Sequence, residues 1–323
     1  MKINIYLLLS VISTHLFASY EYANLYKEKG IDYVQNQLEK ELTYKDFWLN
    51  YLKDKDVSDG YYESVDYLLV CDSLMKKIDI FKNNTHKKQK VFESSVLTGK
   101  NTGAKLSEGD LRTPIGAYDL VEKLTKLDQF YGPLALVTSY PNTFDKINRK
   151  TGNGIWIHGV PFNGNRDPYT KGCIALDNDK LTTLEQTIDI DNSLLIIRDD
   201  AIDENNSKEN IAKVLSNFYS WKEVWKNGDF DNYISYYSPN FQKTDGTNFE
   251  KFKAYKKSIF DKNEEKQIMF KDINVIPYPN EEKKAIFKIK YYQTYSTKNY
   301  HFKGSKELYV ELIDEKVQIL AEE

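Results

Sequence analysis

The polar stretch at 199–209 separates two different hydrophobic patterns, and it sets how many folds this chain can hold. Before it, over 65–200, short apolar runs dominate. They predict strands at 68–70, 77–81, 90–97, 115–121 and 194–197, a turn at Asn83-Asn84 and a helix over 181–188. After it the period changes. Val214, Phe218, Trp221 and Trp225 share one side of a helix predicted over 211–226, which Asn227-Gly228-Asp229 stops. Helices over 230–237 and 249–260 follow, then strands over 270–277, 284–294, 303–312 and 316–323. Helices first and a curved antiparallel sheet last is an α+β order, assigned to a domain at 207–323.

The remaining segment lies ahead of both. Met1-Lys2, an apolar run over 3–17 and the small pair Ala18-Ser19 read as a signal peptide over 1–18, with an uncleaved anchor as the alternative. Export is therefore expected. Residues 20–60 read as short helices, with Ile31, Val34 and Leu38 on one stripe, Phe47, Tyr51 and Leu52 on another, and Thr43 as a cap. Two such helices cannot bury a core alone. They pack on the adjacent domain or form a dimerisation arm against a second copy. The net charge of −3 provides no basic field for nucleic acid.

Chemistry concentrates around Cys173, in Thr170-Lys171-Gly172-Cys173, with His158-Gly159 fifteen residues upstream. A thiol is a strong nucleophile only as thiolate, and a nearby imidazole can generate it. Gly172 lets the backbone approach a reacting group, so the amides of Lys171, Gly172 and Cys173 are candidate oxyanion donors. No acidic residue adjoins His158, and the Gly159 carbonyl is the candidate that orients its ring. The competing readings are a buried structural cysteine and a Cys71–Cys173 disulfide. Cys71 ends the apolar run Leu68-Leu69-Val70 and reads as core. Two Cys and four His without closely spaced ligand pairs give no zinc site, and no cofactor is expected.

At these residues the chain resembles the L,D-transpeptidase (YkuD) family, whose pattern is His-Gly, a gap, then Ser/Thr-His-Gly-Cys and a downstream Asn. His158-Gly159, Thr170, Gly172, Cys173 and Asn178 fit; Lys171 and Ala175 depart. Thr98-Gly99-Lys100, the run from Arg112 to Tyr118, and Tyr131-Gly132-Pro133 extend the resemblance over 65–200. It implies a mostly-β catalytic domain with Cys173 as nucleophile and His158 as general base and acid. Trp156, Arg166, Thr170, Lys171 and Ala175 are expected on the substrate side. The C-terminal domain resembles the nuclear-transport-factor-two-like fold, a cone with a pocket. Strand alternation places Lys306 and Glu323 on its inner face.

The full multidomain order is similar to envelope L,D-carboxypeptidases of helical Gram-negative bacteria. That likeness implies a periplasmic enzyme acting on peptidoglycan stem peptides and glycan, trimming tetrapeptide stems to tripeptides and so influencing cell shape. The C-terminal domain is expected to bind wall polymer separably from cleavage. The alternatives are an L,D-transpeptidase that makes cross-links or attaches proteins, and a non-catalytic wall-binding scaffold.

Overall fold

The computed structural model describes residues 20–84, 87–199 and 207–323. The expected signal peptide and most of the 199–209 linker lie outside them. Helices α1 (Ile31–Glu41) and α2 (Lys45–Leu52) lead into β1 (Tyr61–Tyr62). Of the stripes expected here, Val34 and Leu52 are buried, whereas Ile31, Leu38 and Tyr51 face solvent. Thr43 does not cap α2. Its hydroxyl donates to the Lys40 carbonyl at 2.7 Å and closes α1, and Tyr44 takes the N-cap position.

The next strands form the first sheet: β2 (Tyr67–Asp72), β3 (Lys77–Asn83), β4 (Lys88–Ser95), β5 (Gly116–Leu124), β6 (Ala135–Thr138), β7 (Trp156–His158), β8 (Ile174–Ala175) and β9 (Ser193–Arg198). Their spatial order is β4-β3-β2-β9-β5-β6-β7-β8. Strand β2 runs parallel to β9, with Leu68 opposite Leu194 and Cys71 opposite Ile197. Both strands are apolar at consecutive positions because both faces of the sheet are covered. Leu69, Cys71, Leu195 and Ile197 face a core closed by Leu181 and Leu184 of a helix over Asn178–Thr187. Leu68, Val70, Leu194 and Ile196 face the second domain, where Ile276, Tyr278 and Tyr309 meet them.

Numbering the short helix Thr143–Ile147 as α3 and Asn178–Thr187 as α4, the C-terminal domain opens with α5 (Lys208–Lys226) and α6 (Phe230–Ser235). Strand β10 (Tyr237–Gln242), α7 (Phe249–Phe260), β11 (Gln267–Pro277), β12 (Ile286–Ser296), β13 (His301–Ile313) and β14 (Lys316–Glu322) follow. The helix expected over 230–237 stops at Ser235, and the missed strand β10 begins at Tyr237. Strand β10 lies parallel to β14 at the sheet edge, so the sheet is not wholly antiparallel. Pro239 is tolerated there because an edge strand has amides without ladder partners. The register shift between Lys271 and Asn274, with Asp272 at φ 55°, bends β11 and helps curve the sheet into a cone. Phe218 of α5 fills the concave side, 4.8 Å from the Phe270 ring and 4.9 Å from that of Tyr291.

The N-terminal segment belongs structurally to this second domain. Strand β1 pairs antiparallel with β11, and Trp48, Leu52, Val57 and Tyr61 are buried in the same core as α5. Trp48 stacks on Tyr219 at 5.6 Å, and Glu39 receives Lys222 at 3.2 Å and Lys226 at 2.9 Å. The helices thus pack on the domain remote in sequence, and the first sheet is inserted between the two pieces. Among the described residues, no helix is long and apolar enough to cross a membrane.

Candidate active site

Parallel pairing of β7 with β8 aligns Ile157 with Ile174 and His158 with Ala175. Alternation turns Ile157 and Ile174 into the core, and both are fully buried. Trp156, His158, Cys173 and Ala175 therefore share the opposite face, which brings the imidazole and the thiol to neighbouring positions. The two thiols are free, and Cys71 lies in the core, so the disulfide reading fails.

The imidazole is held from one side. His158 Nδ1 lies 2.6 Å from the Gly159 carbonyl. A carbonyl only accepts, so Nδ1 carries the proton and Nε2 presents its lone pair. Tyr131 packs edge-on to the ring at 5.1 Å, and its carbonyl accepts the Gly159 amide at 2.9 Å. Asn178 locks this turn by accepting the Val160 amide at 3.0 Å. A Cβ on Gly159 would sit 2.1 Å from that Asn178 oxygen, so only glycine fits. Burial pushes the His158 pKa down to about 4; the Gly159 carbonyl opposes this and Arg166 adds to it. The neutral base is therefore the resting form at neutral pH.

The nucleophile turn is equally constrained. Thr170 is buried, and its hydroxyl donates to the Cys173 carbonyl at 2.6 Å while accepting the Gly172 amide at 3.0 Å. This changes two expectations. Thr170 shapes the turn from behind and does not face substrate. The Gly172 amide is already engaged, which leaves those of Lys171 and Cys173 as oxyanion candidates. Gly172 has φ 133°, and a Cβ there would meet the Arg112 carbonyl at 2.7 Å. Ala175, also expected at the substrate, is 1% exposed and exchanges backbone hydrogen bonds with Leu97. Its small side chain fills space on the face shared with His158.

Cys173 is half-buried, and Sγ donates to the Gly154 carbonyl at 3.4 Å. Burial raises its pKa; the Trp156 amide, Arg166 and Lys105 work against that rise. Lys105 was not singled out by its local sequence. It is buried and paired with Asp110 at 2.7 Å. Lys171 is exposed and Trp156 half-buried. Arg166 is half-buried over the Phe130 ring at 5.4 Å, and one nitrogen donates to the Tyr169 carbonyl at 3.4 Å. Its Nε and Nη1 are buried without a hydrogen-bond partner. A guanidinium in that state, felt electrostatically by both His158 and Cys173, is suited to a carboxylate.

The cone holds the other expected pair, with one correction. Lys306 lies opposite Tyr291 and places its ammonium 5.3 Å from the Phe302 ring centre. Glu323, however, does not face the interior. The pairing shifts from Tyr309 opposite Ala321 to Val310 opposite Ile319, leaving Leu320 as an extra residue. One inserted residue inverts the alternation beyond it. Glu323 consequently accepts from Thr143 of the first domain. Glu322 takes the inner position and accepts from Tyr237 at 2.9 Å. Lys256 joins it, its ammonium 5.1 Å from the Phe252 ring centre and 5.4 Å from that of Trp225. Burial lowers the Lys256 pKa and Glu322 opposes that.

Comparison with known proteins agrees with this architecture. Residues 68–197 match the model of the L,D-transpeptidase (YkuD) catalytic domain, and 213–323 that of the Cds6 C-terminal NTF2-like domain. The crystal structure of the helical cell shape determining protein Pgp2 from Campylobacter jejuni is 40% identical, with TM-score 0.81 over 87% of this chain and 99% of that one. A lysine-to-alanine mutant of Pgp2 gives 40% identity and TM-score 0.83 over 88% and 99%. Bd1075 of Bdellovibrio bacteriovorus is 25% identical, with TM-score 0.66 over 84% and 98%. No curated protein sequence matches the chain.

Proposed function

We propose that this chain, which belongs to the L,D-transpeptidase (YkuD) family, is a peptidoglycan L,D-carboxypeptidase of the cell envelope. The observation that carries the reading is Arg166, whose unpartnered guanidinium nitrogens lie in the electrostatic field of Cys173 and suit the terminal carboxylate of a stem peptide. Binding there sets the bond next to the last residue against the thiol. His158 Nε2 removes the thiol proton, and Sγ attacks the carbonyl between the L-centre of diaminopimelate and D-Ala. The amides of Lys171 and Cys173 stabilise the oxyanion. The C–N bond breaks, the imidazolium protonates the departing amine, and a thioester remains. Water, deprotonated by His158, then releases the tripeptide and restores the thiol. Similarity to a cell shape determining protein supports a wall-modifying role that influences shape, and trimming of stems would act there by lowering the wall's cross-linking capacity. Lys306, Glu322 and the aromatic rings around Lys256 make the cone suited to wall glycan, since rings pack on sugar faces while charges fix orientation.

Incubation of purified protein with tetrapeptide muropeptides, followed by mass analysis, is expected to yield tripeptides and free D-Ala. A product set dominated by diaminopimelate–diaminopimelate dimers would transfer the assignment to transpeptidase. The pH profile is a second test. His158 acts as base only when neutral, and its pKa is pushed down to about 4. The kcat/KM for D-Ala release is therefore expected to hold from pH 7 to about pH 5 and to fall as pH drops through about 4. An acid limb centred near the ordinary imidazole value of about 6.5 would contradict the buried neutral base.

A further inference from the structure

The turn between β11 and β12 reaches across the domain boundary to the loop that backs Cys173. Glu281, on this turn, is exposed on its own domain, yet its Oε1 accepts the buried Ala104 amide at 2.6 Å. The turn is stiff. Asn280 donates to the carbonyls of Tyr278 at 3.1 Å and Lys284 at 2.9 Å, and Tyr278 accepts from Asn142 of the first domain at 2.9 Å.

From Ala104 the connections run directly to the nucleophile turn. The Ala104 carbonyl accepts from Arg112 Nη1 at 3.2 Å. The Arg112 carbonyl is the group that forbids a Cβ on Gly172. Lys105, the next residue, is buried against Asp110, which also gathers the amides of Leu106 at 2.8 Å, Ser107 at 3.1 Å and Arg112 at 3.1 Å. Burial opposes ionisation of Asp110, but the Lys105 ammonium and these amides hold its carboxyl at about 2. The Lys105 stem packs 3.4 Å from the position of a Cβ on Gly152, two residues from the carbonyl that takes the Cys173 thiol. One carboxylate from the second domain thus fixes the start of a loop that sets both the backbone behind Gly172 and Lys105, whose charge acts on Cys173.

We infer that Glu281 is a positioning residue for the nucleophile, so that the C-terminal domain completes the active site as well as lying beside it. The inference rests on Cys173 being the nucleophile, and its test does not require the substrate to be known. The full-length protein is used, with Glu281→Ala and Glu281→Gln variants. Glutamine retains the acceptor oxygen and removes the charge. The readouts are the rate of Cys173 alkylation by iodoacetamide across pH, scored by mass spectrometry, and hydrogen exchange at the Ala104 amide. The charged groups that act on the thiol, Arg166 and Lys105, and the base His158 are unchanged in both variants. Glu281→Ala is expected to slow alkylation at neutral pH about 2- to 10-fold, the scale of one net hydrogen bond, and to speed Ala104 exchange. Glu281→Gln is expected to restore both. A wild-type alkylation profile in Glu281→Ala overturns the inference, as does a glutamine variant no better than alanine. Retained D-Ala release by Cys173→Ala would instead remove the reading of Cys173 itself, and the two failures are distinguishable.

Discussion

Cys173→Ala is expected to lower D-Ala release from tetrapeptide stems by on the order of 10⁴–10⁶-fold, the scale seen when a covalent nucleophile is deleted. No other thiol can substitute. Cys71 is fully buried, and burial pushes its pKa well above that of an ordinary thiol. The fold should survive, because Cys173 is half-buried and contributes one long hydrogen bond to Gly154. A loss of less than about 1 kcal/mol in stability is expected. His158→Ala is a less clean probe. It should cost about 10²–10⁴-fold as a lost base. It also empties a buried site and strands the Gly159 carbonyl, at about 1–3 kcal/mol of stability. Alkylation of wild type should inactivate at one equivalent on Cys173. Turnover by Cys173→Ala within tenfold of wild type, with an unchanged melting curve, would eliminate the thioester route.

The chemistry was legible because it is local. His158 ends one short strand and Cys173 immediately precedes another, their alternation is set by neighbouring isoleucines, and the carbonyl that orients His158 is the next residue along. Helix α7 was legible over its whole length, since Asn248 caps it and its apolar residues recur at helical spacing. What escaped depends on distant partners. A two-residue strand such as β1 has no pattern of its own; it exists because β11 offers an open edge. Strand β10 was hidden by Pro239, which only an edge permits. The exchange of Glu323 for Glu322 follows from one bulge at Leu320, and a bulge leaves no period in the sequence to detect. Lys105 reaches the field of Cys173 through a loop fold, so its position along the chain gave no signal. Asn178 of the motif acts by accepting one amide beside Gly159, so its role is set by that local turn rather than by its spacing from Cys173.

Deleting residues 207–323 is expected to prevent cooperative folding of what remains, although the sequence reads as two separable domains. Trp48, Leu52, Val57 and Tyr61 would lose the core they share with α5. Leu68, Val70, Ala117, Leu194 and Ile196 would be uncovered on the outer face of the first sheet. Burial of a large apolar side chain contributes about 1.5–3 kcal/mol. For the eight large side chains of this set that is about 12–24 kcal/mol, enough to offset the roughly 5–15 kcal/mol of net stability of a domain. The ion pair of buried Lys288 with Glu307 at 2.8 Å and the half-buried pair of Lys290 with Asp119 at 2.5 Å lie along the same junction, and the second of these spans it. Circular dichroism melts and limited proteolysis of the truncated chain should therefore show no sharp transition and rapid cleavage. A soluble truncate with a cooperative melt and wild-type kinetics on a soluble stem peptide would show that the junction is dispensable. Separating wall binding from cleavage then requires point changes inside the cone of the intact protein. Lys306→Ala and Glu322→Gln alter groups on the cone-facing side of their strands, opposite the neighbouring Glu307 and Glu323 that face the junction, so they should weaken sacculus pull-down while leaving soluble-peptide kcat/KM near wild type. Unchanged pull-down in both variants would mean that the cone does not hold wall polymer, and would leave the junction itself as the reason the second domain is needed.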